Sequence, residues 1–142
     1  MTVIACKDGV MAADTSVWHG EIWYPCKTKL RRLSDGSVAG CAGWKPVIDE
    51  WVKWYDSGAK PGDRPAAPKD NEDLNVLILR PDGSIWNMSF GEVWRNEGDI
   101  AVAGSHYEFL MGAMLSGRSA PDAVDLAIAH CSRARGPMTW MG

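Results

Sequence analysis

A chain of 142 residues, 46% hydrophobic and 23% charged, is long enough for one domain with one sizeable core and has an ordinary globular composition. Its net charge of −3 gives no electrostatic reason to expect a nucleic-acid partner. No apolar run approaches the ~18 residues that span a bilayer, and Lys7, Asp8 and Asp14 break up the opening stretch that a signal peptide would need.

Taken in chain order, Thr2–Lys7 is β-branched and apolar and reads as a strand, ended by the hairpin turn Asp8-Gly9. Val10–Ala13 returns as a second strand and stops at Asp14. Residues 15–26 read as irregular, with a short strand at Glu21–Tyr24. Lys27–Leu33 is extended, Ser34-Asp35-Gly36 turns, and Ser37–Ala42 is a strand of small residues suited to cover on both faces. Lys45–Ser57 is predicted helical, with Pro46 in the first turn and Val47, Trp51 and Trp54 on one stripe. Gly58–Asn71, with three prolines and two glycines, reads as an exposed loop.

Asp73–Arg80 and Ser84–Phe90 flank a second hairpin turn at Pro81-Asp82-Gly83. Asp99–Ala103 is a strand running into Gly104-Ser105. A helix is expected from His106 to Leu115, with Tyr107, Leu110, Met111 and Met114 on its core face. Ser119, Pro121 and Asp122 start another, running to about Arg133. Gly136-Pro137 ends it, and Met138–Met141 is a last strand. Helices are segregated from strands, which predicts an α+β fold of antiparallel, hairpin-linked sheets packed on helices, one domain over residues 1–142.

Cys6, Cys26, Cys41 and Cys131 form no CxxC pair, and His19, His106 and His130 show no ligand spacing beside them. Neither a metal nor a cofactor is expected, and the thiols read as reduced, buried side chains of a cytoplasmic protein. Eight tryptophans spread along the chain suit both core packing and subunit contacts, so an oligomer is expected.

The N-terminus carries the chemistry. If Met1 is removed, Thr2 presents a hydroxyl nucleophile and a free α-amino group on one residue. Such an amine has a pKa of roughly 7.7–8.0, low enough to act as a base near neutrality.

Thr2-Val-Ile-Ala through Asp8-Gly-Val-Met-Ala-Ala-Asp14-Thr, then Lys29-Leu-Arg-Arg-Leu33, Ser37-Val-Ala-Gly-Cys-Ala-Gly43 and Ile100-Ala-Val-Ala-Gly-Ser105, resemble the proteasome β-subunit-like family of N-terminal nucleophile hydrolases. The resemblance is greatest to HslV-type peptidases and their short phage-encoded relatives. It implies a four-layer αββα sandwich of antiparallel sheets and a threonine-type peptidase that forms an acyl-enzyme. It also implies a set of catalytic residues: Thr2 as nucleophile, Asp14 and Lys29 as the charged pair beside it, Gly43 as the oxyanion-hole N–H, and Ser105 near the α-amino group. Rings of identical subunits, a peptide or protein substrate, and an ATP-dependent unfoldase as partner would follow. The alternative is the same fold kept as an inactive structural or interaction subunit, with virion proteins as partners. The location would be the cytoplasm of a bacterium or phage-infected host, or the virion itself.

Each of these residues also has a plainer reading. Thr2 suits any second position, Asp14 can cap a turn through Thr15-Ser16, and Lys29 can share a solvated basic face with Lys27, Arg31 and Arg32. Gly43 can simply permit a turn, and Ser105 can cap the helix after it. The chain departs from the family at Gly104-Ser-His106, where an imidazole would crowd the site. It departs again at Ala129-His-Cys-Ser-Arg133, where relatives carry an aspartate and only Ser132 or His130 offers a substitute.

Overall fold

The computed structural model describes residues 2–142; the expectation that Met1 is removed falls outside them. Along the chain come β1 (Val3–Lys7), β2 (Val10–Ala13), β3 (Ser16–His19), β4 (Ile22–Pro25), β5 (Leu30–Arg32) and β6 (Val38–Gly43). Helix α1 (Lys45–Asp56) and a single 3-10 turn at Pro61–Asp63 follow, then β7 (Leu74–Leu79), β8 (Ile85–Ser89), β9 (Glu92–Asn96) and β10 (Ile100–Gly104). Helices α2 (Tyr107–Leu115) and α3 (Ala120–His130) and strand β11 (Thr139–Met141) complete the order. Among the described residues this is an α+β protein with three antiparallel sheets and three helices, as the segregation of helical and extended patterns predicts. No helix among them is long and apolar enough to cross a membrane.

Hairpin chemistry organises the sheets. Asp8 and Gly9 both take left-handed backbone, φ 52° and 73°, which matches the right-handed twist of the strands they join. That turn sets Ile4 opposite Ala13 and Lys7 opposite Val10. Strand β10 adds to the other side of β1, with Val3 opposite Gly104, and β11 adds beyond β2, giving the order β10-β1-β2-β11. Strands β5 to β9 form a five-stranded meander in sequence order. Thr2 therefore enters the central region of one sheet, and Gly43 ends an inner strand of the other.

Three apolar clusters hold these elements. One joins residues of both larger sheets: Ile4, Cys6 and Met11 with Leu30, Val38, Leu77 and Ile85. A second packs α1 on the other face of the five-stranded sheet through Val47, Ile48, Trp51 and Trp54. Trp51 and Trp54 meet edge to face, centroids 5.4 Å apart at 80°. The third packs α2 and α3 on Val3, Ala5 and Ala12 through Leu110, Met114, Val124 and Ala127. Small residues on β6 let the sheets approach. A Cβ on Gly40 would collide with the Met11 sulfur and lie 3.0 Å from Ile4 Cγ2.

The structure departs from the sequence expectations in several places. The short strand expected at Glu21–Tyr24 is present as β4, one residue further on, but it pairs with β3 in a regular hairpin rather than lying in irregular chain; Ile22, Trp23 and Tyr24 are exposed, so their apolar character does not mark a core. Strand β9 went unpredicted, because it is a mostly exposed edge strand without apolar alternation. The extended segment at 27–33 shortens to Leu30–Arg32. On α2, Leu110 and Met114 are buried as expected, but Tyr107 is exposed. Ser119 caps α3 by accepting from Asp122 N at 3.2 Å, and that helix stops at His130 because Cys131 turns extended. Cys6 and Cys41 are buried, whereas Cys26 and Cys131 are only half-buried; all four are free thiols.

Leu77 is 1% exposed within the cluster shared by both sheets. Leu77→Ala should lower the unfolding free energy by about 2–5 kcal/mol in denaturant titration; a loss below about 1 kcal/mol would show that the two sheets do not share a tight core there.

Candidate functional site

The site begins with the ladder around Thr2. Val3 pairs with Gly104 on one side of β1, and the ladder continues outward as Ser105 N–H donates to the Thr2 carbonyl at 2.6 Å. Gly104 has φ +86°, and a Cβ there would collide with that same carbonyl. Glycine is thus required for the backbone of β10 to close on Thr2.

On the other side of β1, Asp14 follows β2 and folds back. Its N–H donates to the Val3 carbonyl at 3.2 Å, and its Oδ1 accepts from Val3 N–H at 3.0 Å. Oδ1 also accepts from Lys29 Nζ at 2.7 Å, and Oδ2 accepts from Ser16 Oγ at 2.7 Å. Asp14 is fully buried and Lys29 is 3% exposed. Asp14 therefore does not cap a turn through Thr15-Ser16; Ser16 serves Asp14. Nor does Lys29 belong to a solvated face. Arg31 does, half-buried and ion-paired to the likewise half-buried Asp49 at 2.8 Å. With the Arg135 N–H at 3.5 Å from Oδ2, the carboxylate accepts four hydrogen bonds, one of them from an ammonium, and so satisfies the requirement for burying a charge pair.

Burial pulls the Lys29 pKa below its ordinary 10.5, and the Asp14 carboxylate opposes that fall. Its backbone is fixed too: the Lys29 carbonyl accepts from Cys41 N–H at 2.8 Å, tying the start of β5 to β6.

Gly43, at the end of β6, has φ +125°. A Cβ on it would collide with the Asp73 carbonyl, and the next residue, Trp44, donates its N–H to that carbonyl at 2.7 Å. The turn out of β6 is therefore shaped by close backbone approach rather than by a side chain.

These elements surround one cavity of about 920 Å³, within the usual span of small-molecule and peptide sites. Thr2, Lys29, Gly43 and Ser105 all line it, and Asp14 sits behind Lys29 and Val3. The structure thus brings the five predicted residues together. Ser105 is not a helix cap: the cap position before α2 is His106, which makes no side-chain capping bond. The His106 ring does not crowd the cavity, because Nε2 turns to the Ser132 carbonyl at 2.9 Å. Ser132 and His130 are exposed and neither lines the cavity.

Sequence reasoning missed Ser16, Cys26, Trp44 and Phe90. Ser16 carries no motif. Trp44, Phe90 and Cys26 line the cavity, and only the glycines beside the two aromatics hinted at special backbone. Cys41 lines it as well, but burial pushes its thiol up to about 11, leaving it un-ionised at neutral pH. No group of three or more metal-ligating side chains occurs among the described residues.

No protein-family profile matches the chain, and no curated protein is significantly similar to it in sequence.

Asp14→Asn removes the charge that keeps Lys29 protonated. A lysine whose folded pKa lies below its unfolded one costs stability while it is protonated, and the cost fades as pH rises toward 10.5. The variant should lose about 3–5 kcal/mol near pH 7, with the deficit shrinking in alkaline buffer. Thermal melts that show a pH-independent deficit, or none, would mean that Lys29 does not rely on this carboxylate.

Proposed function

We infer that this chain is a threonine-type N-terminal nucleophile hydrolase that cleaves amide bonds of peptides through an acyl-enzyme on Thr2. The observation that carries it is the buried Lys29–Asp14 pair, whose lysine lines the same cavity as Thr2. A surface ion pair would carry no such weight.

The chemistry follows from the donors present. With Met1 removed, the Thr2 α-amino group takes the hydroxyl proton as Oγ attacks the carbonyl carbon. The Lys29 ammonium favours the developing alkoxide, and Asp14 holds that ammonium in place. The tetrahedral oxyanion meets the Gly43 N–H, a donor of the kind worth about 3–4 kcal/mol in acyl transfer. The protonated amine then gives its proton to the leaving nitrogen as the C–N bond breaks. Water attacks the Thr2 ester, returning the hydroxyl and releasing the acid.

The three apolar clusters support a four-layer αββα sandwich, with helices outside and the shared sheet cluster at the centre. Exposed Trp23, Trp44, Trp94 and Trp140 support assembly into a homo-oligomer, a ring in the proposed family. One observation favours the second reading, an inactive structural subunit of the same fold. No acidic residue occupies positions 129–133, and Ser132 and His130 stand in solvent.

Incubation with an electrophilic peptide distinguishes the two. The Met1-free chain should gain one adduct by intact mass, Thr2→Ala should gain none, and Lys29→Met should react at least about a hundredfold more slowly. An adduct that persists in Thr2→Ala excludes Thr2 as nucleophile; no adduct on the native chain supports the structural subunit.

A further inference from the structure

The β3–β4 hairpin is a two-stranded sheet that pairs with neither larger sheet, and an isolated ribbon of that size is marginal in water. The segment after α3 fastens it. Ala134 is buried in the cluster of α2 and α3, which anchors this segment to the body of the protein. Arg133 and Arg135, on either side of it, reach the hairpin. Arg133 donates from Nη1 to the Gly20 carbonyl and from Nη2 to Glu21 Oε1, both at 3.0 Å. Its guanidinium lies 5.0 Å from the centre of the Trp18 ring. The Arg135 guanidinium lies 5.6 Å from the Trp18 ring and 5.2 Å from the Trp23 ring. Trp18 and Trp23 face each other across the hairpin, so cation and indole alternate in one ladder: Arg133, Trp18, Arg135, Trp23.

The backbone of the same two arginines meets the Asp14 network. The Arg133 carbonyl accepts from Trp18 Nε1 at 2.9 Å and from Ser16 Oγ at 3.4 Å. Arg133 makes these bonds at φ 63°, a left-handed backbone unfavourable to an arginine. The Arg135 N–H lies 3.5 Å from Asp14 Oδ2, the oxygen that also accepts from Ser16 Oγ at 2.7 Å. The Arg135 carbonyl accepts from Thr15 N–H at 3.0 Å. One oxygen of the Asp14 carboxylate therefore serves Lys29 and Val3, and the other serves the hairpin and the segment that docks it.

We propose that Arg133 is a positioning residue: through the arginine–tryptophan ladder it docks the hairpin, aims the Ser16 hydroxyl at Asp14 Oδ2, and by way of Asp14 fixes the Lys29 ammonium in the cavity. Its bearing on reactivity rests on the hydrolase reading of Thr2; its bearing on Lys29 does not. Val17 and Trp18 of the hairpin line the same cavity as Lys29, so a loosened hairpin admits water to the lysine. Burial lowers the Lys29 pKa, while Asp14 and Cys26 raise it. Added water relieves the burial, and a lost Ser16 donor leaves more of the Asp14 charge to the ammonium; both changes move the Lys29 pKa upward. Arg31 and Lys45, cations of the same cavity, are paired with Asp49, and the loop at 69–73 brings charges of both signs; the variants that test the ladder leave all of these in place.

The test follows the Lys29 side-chain NMR signal through an alkaline titration of the full Met1-free chain, with adduct formation by an electrophilic peptide measured beside it. Arg133→Gly keeps the left-handed backbone and its carbonyl but removes the guanidinium. Ser16→Ala removes one donor to Asp14. Each should move the Lys29 midpoint to higher pH and slow adduct formation at neutral pH about tenfold. Glu21→Gln, which removes only an exposed charge, should change neither. If Arg133→Gly does not fold, Arg133→Lys takes its place: it keeps a cation for Trp18, loses the fork to Gly20 and Glu21, and should move the midpoint the same way. A Lys29 midpoint unchanged in the folded Arg133 variant or in Ser16→Ala overturns the proposal, as does an equal rise in Glu21→Gln. Raised midpoints in the variants of a chain that forms no adduct remove the hydrolase reading and leave the ladder. An adduct on the native chain with unmoved midpoints in the variants removes the ladder and leaves the hydrolase reading.

Discussion

The carboxylate of Asp14 is the constraint on which the rest depends. It joins the first residue of β1, the hydroxyl of Ser16 and the ammonium of Lys29, all out of solvent. Burying two opposite charges is a poor way to stabilise a fold, since well-packed apolar residues of the same volume do as well or better. Breaking such a pair is nevertheless severe. A chain that keeps this arrangement at the mouth of a strand, beside a cavity, holds a cation at a fixed place rather than gaining stability from it.

Backbone approach does the remaining positioning. Gly43 and Gly104 both adopt positive φ, and in each the space of a side chain is filled by a carbonyl oxygen, that of Asp73 and that of Thr2. The two glycines stand on different sheets, and the cavity lies between segments of both. Thr2, Lys29 and Gly43 thus line one cavity because two hairpin-built sheets share one apolar cluster. Helix α1 contributes from behind: its tryptophans seat Arg64, which in turn holds the turn that presents Phe90.

Much of this was legible in the sequence where physics is local. Asp8-Gly9 and Pro81-Asp82-Gly83 mark hairpins, and the stripe Val47, Trp51, Trp54 marks a buried helix face. The site residues were legible only through their order along the chain, because no short-range rule brings Asp14, Lys29, Gly43 and Ser105 to one cavity. Strands β3, β4 and β9 were not legible in full, since their side chains are largely exposed and carry no core pattern. Tyr107 falls on the apolar stripe of α2 by spacing, but as the first residue of that helix it is exposed while Leu110 and Met114 further along are buried. The role of Ser16 as a partner of Asp14, and the exposure of Phe90, follow from tertiary contacts that periodicity does not encode.

The most direct measurement is a crystal structure of the Met1-free chain reacted with a peptide boronate. The account predicts boron bonded to Thr2 Oγ, Lys29 Nζ within hydrogen-bond reach of that oxygen, and a boronate oxygen on the Gly43 N–H. Boron on the Cys26 sulfur, or an unmodified Thr2 with Lys29 turned away from its hydroxyl, would contradict it.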